Sequence, residues 1–268
     1  MALEAKTVQF EGMAVRYWQG GSGEPLLMLH GSGPGACTHA NWRLVIDDLH
    51  QRFHVIAIDL IGFGESGRKA SAPFFDFDLW VRQARFALDL FGAPANVLGH
   101  SLSGAVALKM AAANRSVKKI VTTGSIGAQL TANSHLETVW SFPETRDDLV
   151  KAGKTLVFDQ SLITDAYLAG REKILRDGDY EGYYKAMFAG DKQKYLDAAL
   201  VPADDLEAIS QEVLLLHGVD DLPVPIESTY RLARDIPRAD VLALARCGHS
   251  VALEHPQKLV RYVSAFLL

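Results

Sequence analysis

Short runs of β-branched and apolar residues alternate along the chain with segments of helical periodicity. An opening hairpin is expected from Thr7–Phe10 and Met13–Trp18. Buried strands are then predicted at Leu26–Leu29, Val55–Ile58, Asn96–Leu98, Lys119–Thr123, Val213–Leu216 and Val241–Ala245. Helices are predicted at Trp42–His50, Phe77–Phe91, Leu102–Asn114, Ile226–Asp235 and Pro256–Leu267. Because strands that alternate with helices form parallel sheets, this pattern predicts an α/β protein with helices on both faces of a mostly parallel sheet.

The alternation stops between about Gly127 and Ile209, where strand-like runs give way to helix formers, aromatic residues and charge. Helical segments are expected there at Ala166–Leu175, Tyr180–Met187 and Gln193–Ala199. We interpret residues 128–209 as a helical cap that is inserted after the sixth strand, and residues 1–127 and 210–268 as the core. Ligands bind at the carboxyl ends of the strands in open α/β sheets, so a cap at this point would cover a binding site.

The composition narrows the class of protein. Hydrophobic residues make up 49% of the 268 residues and charged residues 22%, which is ordinary for a globular enzyme. A net charge of −5 without any Lys/Arg run argues against nucleic-acid binding. Two cysteines do not form a disulfide framework, and neither a signal peptide nor a membrane-length apolar run is visible. We therefore expect a cytoplasmic protein without a membrane partner.

The strongest chemical signal is Gly99-His100-Ser101-Leu102-Ser103-Gly104, which follows a predicted strand and opens an alanine-rich helix. This is the context of a nucleophile elbow, in which small flanking residues permit a tight turn that exposes the serine. Ser103 stands where the usual pattern has glycine, although serine is small enough to fit. We expect Ser101 to be the nucleophile.

A second glycine-rich segment, His30-Gly31-Ser32-Gly33-Pro34-Gly35, also follows a predicted strand. It is not a phosphate-binding loop of the Walker type, since no Gly-Lys-Ser/Thr follows. An acyl-transfer enzyme needs two N–H donors for its oxyanion, and we expect them to be the backbone N–H groups of Ser32 and Leu102.

Two further segments after strands supply an acid and a base. In His217-Gly218-Val219-Asp220-Asp221, the spacing from the glycine favours Asp221 over Asp220 as the carboxylate that orients a histidine. In Cys247-Gly248-His249-Ser250, His249 is the expected general base, and His255 is the rival. The order Ser101, Asp221, His249 matches the α/β-hydrolase fold.

Three groups of residues form a wider pattern: the loop from His30 to Ala36 with Asn41-Trp42, the segment from Thr145 to Arg171, and Cys247-Gly248-His249 with Glu254-His255-Pro256. In these segments, and over most of its length, the chain resembles the meta-cleavage product hydrolases, a family of C–C bond hydrolases of aromatic degradation. Substrates of this family are 2-hydroxy-6-oxo-hexa-2,4-dienoates, and the expected partner is therefore a small-molecule carboxylate.

The resemblance implies roles for residues around the triad. Arg171 aligns with a cap arginine that binds the substrate carboxylate, and Asn41 with a residue at the dienol end. Gly33, His100 and Ser250 are also expected to contact the substrate. No cofactor or metal is implied. Family members are often dimers or larger, so the resemblance is compatible with a homo-oligomer.

Two residues beside the chemistry depart from the family pattern. His100 stands where asparagine is usual, and Ser250 stands where tryptophan is usual. Both occur in ordinary esterases and lactonases of this fold, so a carboxylesterase or lactonase is the alternative hypothesis. A non-hydrolytic member, such as a ligand receptor or a cofactor-free oxygenase, is a third, because fold alone does not determine function.

Overall fold

A computed structural model describes residues 3–113 and 115–268. In chain order, its strands are β1 (Glu4–Phe10), β2 (Met13–Gly20), β3 (Glu24–Leu29), β4 (Phe53–Ile58), β5 (Ala95–His100), β6 (Val117–Thr123), β7 (Glu212–Gly218) and β8 (Ala239–Leu244). They form one sheet in the order β1-β2-β4-β3-β5-β6-β7-β8. Strand β2 pairs antiparallel with β1 and β4, and every other pair of neighbours is parallel.

Helices cover this sheet. They are α1 (Thr38–Trp42), α2 (Ile46–His50), α3 (Phe77–Asp89), α4 (Leu102–Ala112), α5 (Ser134–Val139), α6 (Arg146–Thr155), α7 (Asp165–Leu175), α8 (Tyr180–Met187), α9 (Gln193–Ala198), α10 (Ala203–Glu207), α11 (Glu227–Asp235), α12 (Val251–Glu254) and α13 (Pro256–Leu267). A short 3-10 helix spans Gln160–Leu162. The predicted α/β fold is thereby confirmed. The predicted end of one helix at Asn114 lies outside the described residues.

The buried strands explain why helices are needed on both faces. Along β3, Leu27 and Leu29 pack into one apolar cluster, whereas Leu26 and Met28 pack into another on the opposite face. All four side chains are fully buried. Successive side chains in a strand point to opposite faces, so an unbroken apolar run requires a covering layer on each side.

The single helix predicted at Trp42–His50 is wrong. The chain forms two short helices there, α1 and α2, which are separated by a tight turn in which the N–H of Val45 donates to the carbonyl of Trp42 at 2.9 Å. Trp42, Val45 and Leu49 are all buried, so their spacing resembles one helix although the backbone turns between them. The hydrophobic periodicity shows which side chains face the core. The turn between α1 and α2 keeps those side chains on the same side, so the periodicity continues although the helix does not.

Six α helices, α5 to α10, and the 3-10 helix lie between β6 and β7. Within this segment, which the structure describes without a gap, no strand interrupts the helices. Thr145 and Asp148 form a reciprocal capping box that begins α6, and Thr164 caps α7. In the described part of the chain, none of the helices combines the length and the apolar character that crossing a bilayer requires.

The carboxyl ends of four parallel strands meet at one edge of the sheet. The loop from His30 follows β3, Ser101 follows β5, Asp221 lies three residues beyond β7, and His249 lies five residues beyond β8. Parallel strands therefore bring together residues that are far apart in sequence.

Close packing at this edge makes the effect of a methyl group predictable. A Cβ on Gly218 would lie 2.1 Å from the carbonyl oxygen of Gly248 and 2.3 Å from that of Cys247, whereas a Cβ on Gly182 in α8 would meet nothing within 4 Å. We expect Gly218→Ala to lower the free energy of unfolding by about 3 kcal/mol through overpacking. Gly182→Ala should raise it by about 0.5–1 kcal/mol, since alanine is the better helix former. Urea unfolding of both variants measures the two changes in the free energy of unfolding. Changes of the same sign and size would contradict the prediction.

Candidate active site

Ser101 sits in a strained turn between β5 and α4. Its backbone has φ = 57° and ψ = −118°, a left-handed conformation that costs a residue other than glycine about 1–3 kcal/mol. The turn is held because the N–H of Ser101 donates to the carbonyl of Thr123 at 2.9 Å, and the Ser101 carbonyl accepts from the N–H of Gly104 at 3.0 Å. These two hydrogen bonds therefore hold Ser101 in its strained backbone conformation.

Small residues around Ser101 make this turn possible. A Cβ on Gly99 would lie 2.4 Å from the carbonyl oxygen of Ser103, and one on Gly104 would lie 2.3 Å from the Oγ of Ser125. Ser103 itself fits, and its hydroxyl donates a short hydrogen bond to the carbonyl of His30. The departure from glycine at this position thus ties α4 to the loop after β3.

His30 anchors that loop as a neutral imidazole. Its Nε2 accepts from the N–H of Leu60 at 2.9 Å, so Nδ1 carries the proton and donates to the carbonyl of Gly31 at 2.6 Å. Burial lowers the pKa of His30, which favours this neutral form. A neutral His30 side chain therefore joins the loop after β3 to the backbone that follows β4.

Ser32, the first expected oxyanion donor, is held by the cap. Trp140 Nε1 donates to its hydroxyl oxygen at 2.9 Å. The hydroxyl of Tyr184 lies 3.2 Å from its carbonyl oxygen and 3.0 Å from that of Val139, so one proton is shared between these two acceptors. In residues 3–113 and 115–268 no acceptor takes the N–H of Ser32. Leu102, as the first residue of α4, also has an N–H without an intrahelical partner. Both donors are free to bind an oxyanion.

Asp221 and His249 form a direct hydrogen bond. The Nδ1 of His249 donates to Oδ2 of Asp221 at 2.7 Å, and both side chains are buried. Because the carboxylate accepts at Nδ1, the Nε2 of His249 carries a lone pair that can take a proton. Asp221 thus fixes the tautomer of His249 that can accept a proton, which is one requirement of a general base.

A second histidine supports the carboxylate. Nε2 of His217 donates to the carbonyl of Val224 at 2.8 Å and lies 3.2 Å from Oδ2 of Asp221, while the N–H of Val224 donates to Oδ1 at 2.9 Å. Burial alone would raise the pKa of Asp221, but the charge of His249 and hydrogen bonds from His217 and His249 lower it to about 2. Asp221 is therefore ionised at every working pH.

The two rival residues lie elsewhere. Asp220 is exposed, and its Oδ2 accepts from the N–H of Cys247 at 3.4 Å. His255 donates from Nε2 to the carbonyl of Arg246 at 3.1 Å, at the start of α13. Neither contacts the pair of Asp221 and His249 through a hydrogen bond.

A single cavity, the central cavity, joins the predicted residues between cap and core. Its lining includes Ser32, Gly33, Asn41, His100, Ser101, Arg171, His249 and Ser250. The rest of its wall is mainly apolar and includes Leu136, Val139, Trp140, Leu156 and Leu253. Asn41 also has a structural contact, since its Oδ1 accepts from the N–H of Gly31 at 3.3 Å. Every expected substrate-binding residue therefore faces the same cavity as Ser101 and His249.

His100 contributes a neutral ring beside the base. Its Nδ1 lies 3.0 Å from the carbonyl oxygen of Thr123 and donates to it, which leaves Nε2 as an acceptor. The rings of His100 and His249 are 4.7 Å apart between centroids. Burial, together with the nearby charge of His249, lowers the pKa of His100 to about 3. The ring of His100 is therefore neutral beside His249.

Arg171 is a buried cation in this cavity. Its Nη1 donates to the carbonyl of Pro34 at 2.6 Å, and the guanidinium stacks 4.8 Å from the ring centroid of Tyr167. The side chain is 8% exposed, and its buried Nε has no hydrogen-bond partner in the described part of the chain. Nor does any carboxylate of the described residues lie within ion-pair distance of it.

The sequence analysis assigned no role to Glu254, whose carboxylate links the loop that carries His249 to the helical segment between β6 and β7. Oε2 of Glu254 accepts from the N–H of Gly248 at 2.6 Å, and Oε1 accepts from the N–H of Phe158 at 2.7 Å. The N–H of Ser250 donates to the carbonyl of Leu156 at 2.9 Å on the same side. The contact between Phe158 and Glu254 joins positions 96 apart, so no local pattern predicts it, although Glu254 belongs to a segment that carries the family resemblance.

Comparison with known proteins agrees with this architecture. The sequence pattern of the alpha/beta hydrolase family matches residues 26–262, so fold, cavity and sequence define the chain as a hydrolase of this class. It is 32% identical to a 2-hydroxymuconate semialdehyde hydrolase of Pseudomonas sp. (strain CF600), over 96% of this chain and 91% of the relative. It is 30% identical to a 2-hydroxy-6-oxo-2,4-heptadienoate hydrolase of Pseudomonas putida, over 92% and 90%.

Solved structures that are similar to this chain indicate a family within the alpha/beta hydrolases. A meta-cleavage product hydrolase from Pseudomonas fluorescens IP01, crystallised as a mutant complexed with acetates, superposes with a TM-score of 0.93 at 29% identity. The superposition covers 98% of this chain and 97% of that one. The chain belongs to the meta-cleavage product hydrolases of the alpha/beta hydrolase family.

The neutral state of His100 has a consequence for stability. Its pKa is about 3 in the folded protein but about 6.5 in an unfolded chain, so between these values the unfolded chain binds more protons. Stability therefore falls as the pH decreases through this window, by about 2 kcal/mol between about pH 7 and pH 5.

We expect His100→Asn to remove this contribution, because asparagine does not titrate. The difference in unfolding free energy between pH 7 and pH 5, measured with urea, should shrink by about 2 kcal/mol. His39→Asn, which changes an exposed histidine of α1, is the matched control and should leave the difference unchanged. The same pH dependence in wild type and His100→Asn would refute the buried neutral ring.

Proposed function

We propose that this enzyme cleaves the C5–C6 carbon–carbon bond of 2-hydroxy-6-oxo-hexa-2,4-dienoates. In this proposal Ser101 is the nucleophile, His249 is the general base, and Asp221 orients the histidine and stabilises its cation. Two relatives of about 30% identity carry names of hydrolases for substrates of this type, which supports the proposal.

The observation that carries the proposal is Arg171. Burying a guanidinium without a carboxylate partner costs several kcal/mol unless a ligand supplies the missing charge. Arg171 is 8% exposed, its Nε is unpaired, and it lines the same cavity as Ser101. The dienoate carboxylate would complete this site, since a guanidinium can hold a carboxylate with two hydrogen bonds. A neutral ester offers no such group.

Before cleavage, the dienol must become a ketone. A proton moves from the 2-hydroxyl oxygen to C5, which gives a 2,6-dioxo acid. The electron pair of the C5–C6 bond can then leave onto C5, where it is delocalised to the 2-oxo oxygen through the C3–C4 double bond. His100 Nε2 and Asn41 are polar groups of the cavity available at the dienol end.

Acylation begins when Ser101 Oγ attacks C6 and His249 Nε2 takes the hydroxyl proton. The N–H groups of Ser32 and Leu102 stabilise the oxyanion, each contributing about 2.7–4 kcal/mol. Collapse of the intermediate breaks the C5–C6 bond and leaves the acyl group on Ser101. The departing carbanion regains its proton from His249 and is released as 2-hydroxypenta-2,4-dienoate.

Water then completes the reaction. His249 removes a proton from the water molecule that attacks the acyl carbonyl, and it returns a proton to Ser101 Oγ as the ester bond breaks. The products are the dienoate and a carboxylic acid, which together account for the substrate and one water. The apolar cap residues Leu136, Val139 and Trp140 are suited to hold the released acyl group.

Bleaching of the yellow dienolate tests the proposal. We expect wild type to bleach ring-cleavage products of catechols with fast turnover and Ser101→Ala to lose turnover. Arg171→Gln should lower kcat/KM for these carboxylates by about 10–100-fold, as expected for a lost charged hydrogen bond, while 4-nitrophenyl acetate stays within about twofold. Arg176→Gln, an exposed arginine at the end of α7, is the matched control.

Each outcome separates the two enzyme classes. No bleaching, with ester cleavage that disappears in Ser101→Ala, would refute the C–C hydrolase and favour a carboxylesterase or lactonase. An equal loss of both activities in Arg171→Gln would show that the arginine maintains the cavity instead of binding the carboxylate.

The two aspartates give a further prediction. Asp221→Asn should lower kcat by about 10⁴-fold, because an amide no longer fixes the productive tautomer of His249 or stabilises its cation. Asp220→Asn should stay within a few-fold of wild type, since Asp220 is exposed. Steady-state kinetics of the two single variants measure both values of kcat. A larger loss in Asp220→Asn than in Asp221→Asn would assign the orienting role to Asp220.

A further inference from the structure

A second, smaller pocket lies beside the central cavity, between α1 and α7. We call it the side opening. Arg43 and Gly170 line its solvent side, and Ala40, Tyr167 and Arg171 line both it and the central cavity. Gly170 is exposed, whereas Tyr167 and Arg171 are buried. The side opening and the central cavity are therefore separated by a wall that Ala40, Tyr167 and Arg171 form.

Two guanidinium groups flank the ring of Tyr167 along this path. The Arg171 guanidinium is 4.8 Å from the ring centroid, and that of Arg43 is 5.9 Å from it. Arg43 is half-buried, and its Nη1 donates to the carbonyl of Ala40 at 3.3 Å. Across the described residues neither arginine pairs with a carboxylate, so the path is positively charged throughout.

Holding these two cations close together is unfavourable for the empty protein. Burial, and then the charge of Arg171, lower the pKa of Arg43, which is the expected result of partial desolvation and like-charge repulsion. An anion between or beside them relieves both costs. Two other polar side chains line the side opening: the Cys37 thiol, which is unreactive because burial raises its pKa to about 11, and the exposed imidazole of His39. The lining thus contains two guanidinium groups and no carboxylate.

We propose that the side opening is the route by which carboxylates reach Arg171, with Arg43 as its outer anion-binding group. A carboxylate is drawn in by Arg43, passes along the face of Tyr167 and is transferred to Arg171. The identity of the natural carboxylate rests on the proposed function, but the path itself does not.

The charge of Arg43 is tested with two esters of equal chain length that Ser101 can cleave, the mono(4-nitrophenyl) ester of adipic acid and 4-nitrophenyl hexanoate. Arg43→Gln should lower kcat/KM for the anionic ester by about tenfold at low ionic strength, the lower end of electrostatic steering, and leave the neutral ester unchanged. The loss should shrink in 0.5 M salt, where the Debye length is about 4 Å.

Two controls accompany this measurement. Arg43→Lys keeps the charge and should retain most of the steering. Arg52→Gln removes an exposed positive charge that lies outside both cavities and should have no effect on either ester.

The passage is tested by blocking it. A side chain at Gly170 has free space around it, as does one at Gly182 in α8, and both glycines are exposed and helical. Gly170→Leu should lower kcat/KM for the anionic ester by about fivefold or more, because access is restricted, whereas Gly182→Leu should match wild type. Thermal unfolding of each variant confirms that it is folded.

The proposal requires both results. If Arg43→Gln matches Arg52→Gln, or if Gly170→Leu matches Gly182→Leu, the side opening is not the route and the proposal fails. Because the readout is ester cleavage, this outcome is independent of dienolate bleaching. If wild type bleaches dienolates but both ester tests fail, the proposed function is supported and the route is refuted. If both ester tests succeed but no dienolate is bleached, the route is supported and the proposed function is refuted.

Discussion

The left-handed backbone of Ser101 is the constraint on which the rest of the site depends. At φ = 57° the serine can be tolerated only where Gly99 and Gly104 leave room and where β6 holds its N–H through Thr123. The same turn starts α4, and so it leaves the N–H of Leu102 without a helical partner. One strained residue thereby exposes its own side chain to the central cavity and leaves the next N–H of the chain unpaired, while its hydrogen bond to the parallel sheet offsets the strain.

Charge is distributed unevenly around this turn. Asp221 is the buried anion of the site, and two imidazoles contact it, so its charge is well compensated. Two further buried imidazoles, His30 and His100, are held neutral because burial lowers the pKa of each ring. Arg171 remains as a cation without a counter-charge. The cavity therefore holds a compensated anion at Asp221 and an uncompensated cation at Arg171, an imbalance that an anionic ligand would correct.

Sequence patterns predict the residues whose roles depend on local backbone. Ser101 and the segments carrying Asp221 and His249 each follow a strand and a glycine, and such combinations are recognisable without a structure. The missed features depend on distant partners. Trp140 contacts Ser32 across 108 positions, and neither residue is unusual in its own segment. The turn between α1 and α2 was missed for the opposite reason, because buried side chains keep a helical spacing while the backbone does not.

The hydrogen bonds between cap and core have a consequence for the timing of catalysis. Trp140 and Tyr184 hold the loop that carries one oxyanion donor, and Glu254 holds the loop that carries His249. A displacement of the cap that broke these bonds would release the donor and the base together. Under the proposed mechanism, an oxyanion donor and the general base are therefore in position at the same time, and only while the helices between β6 and β7 rest on the core.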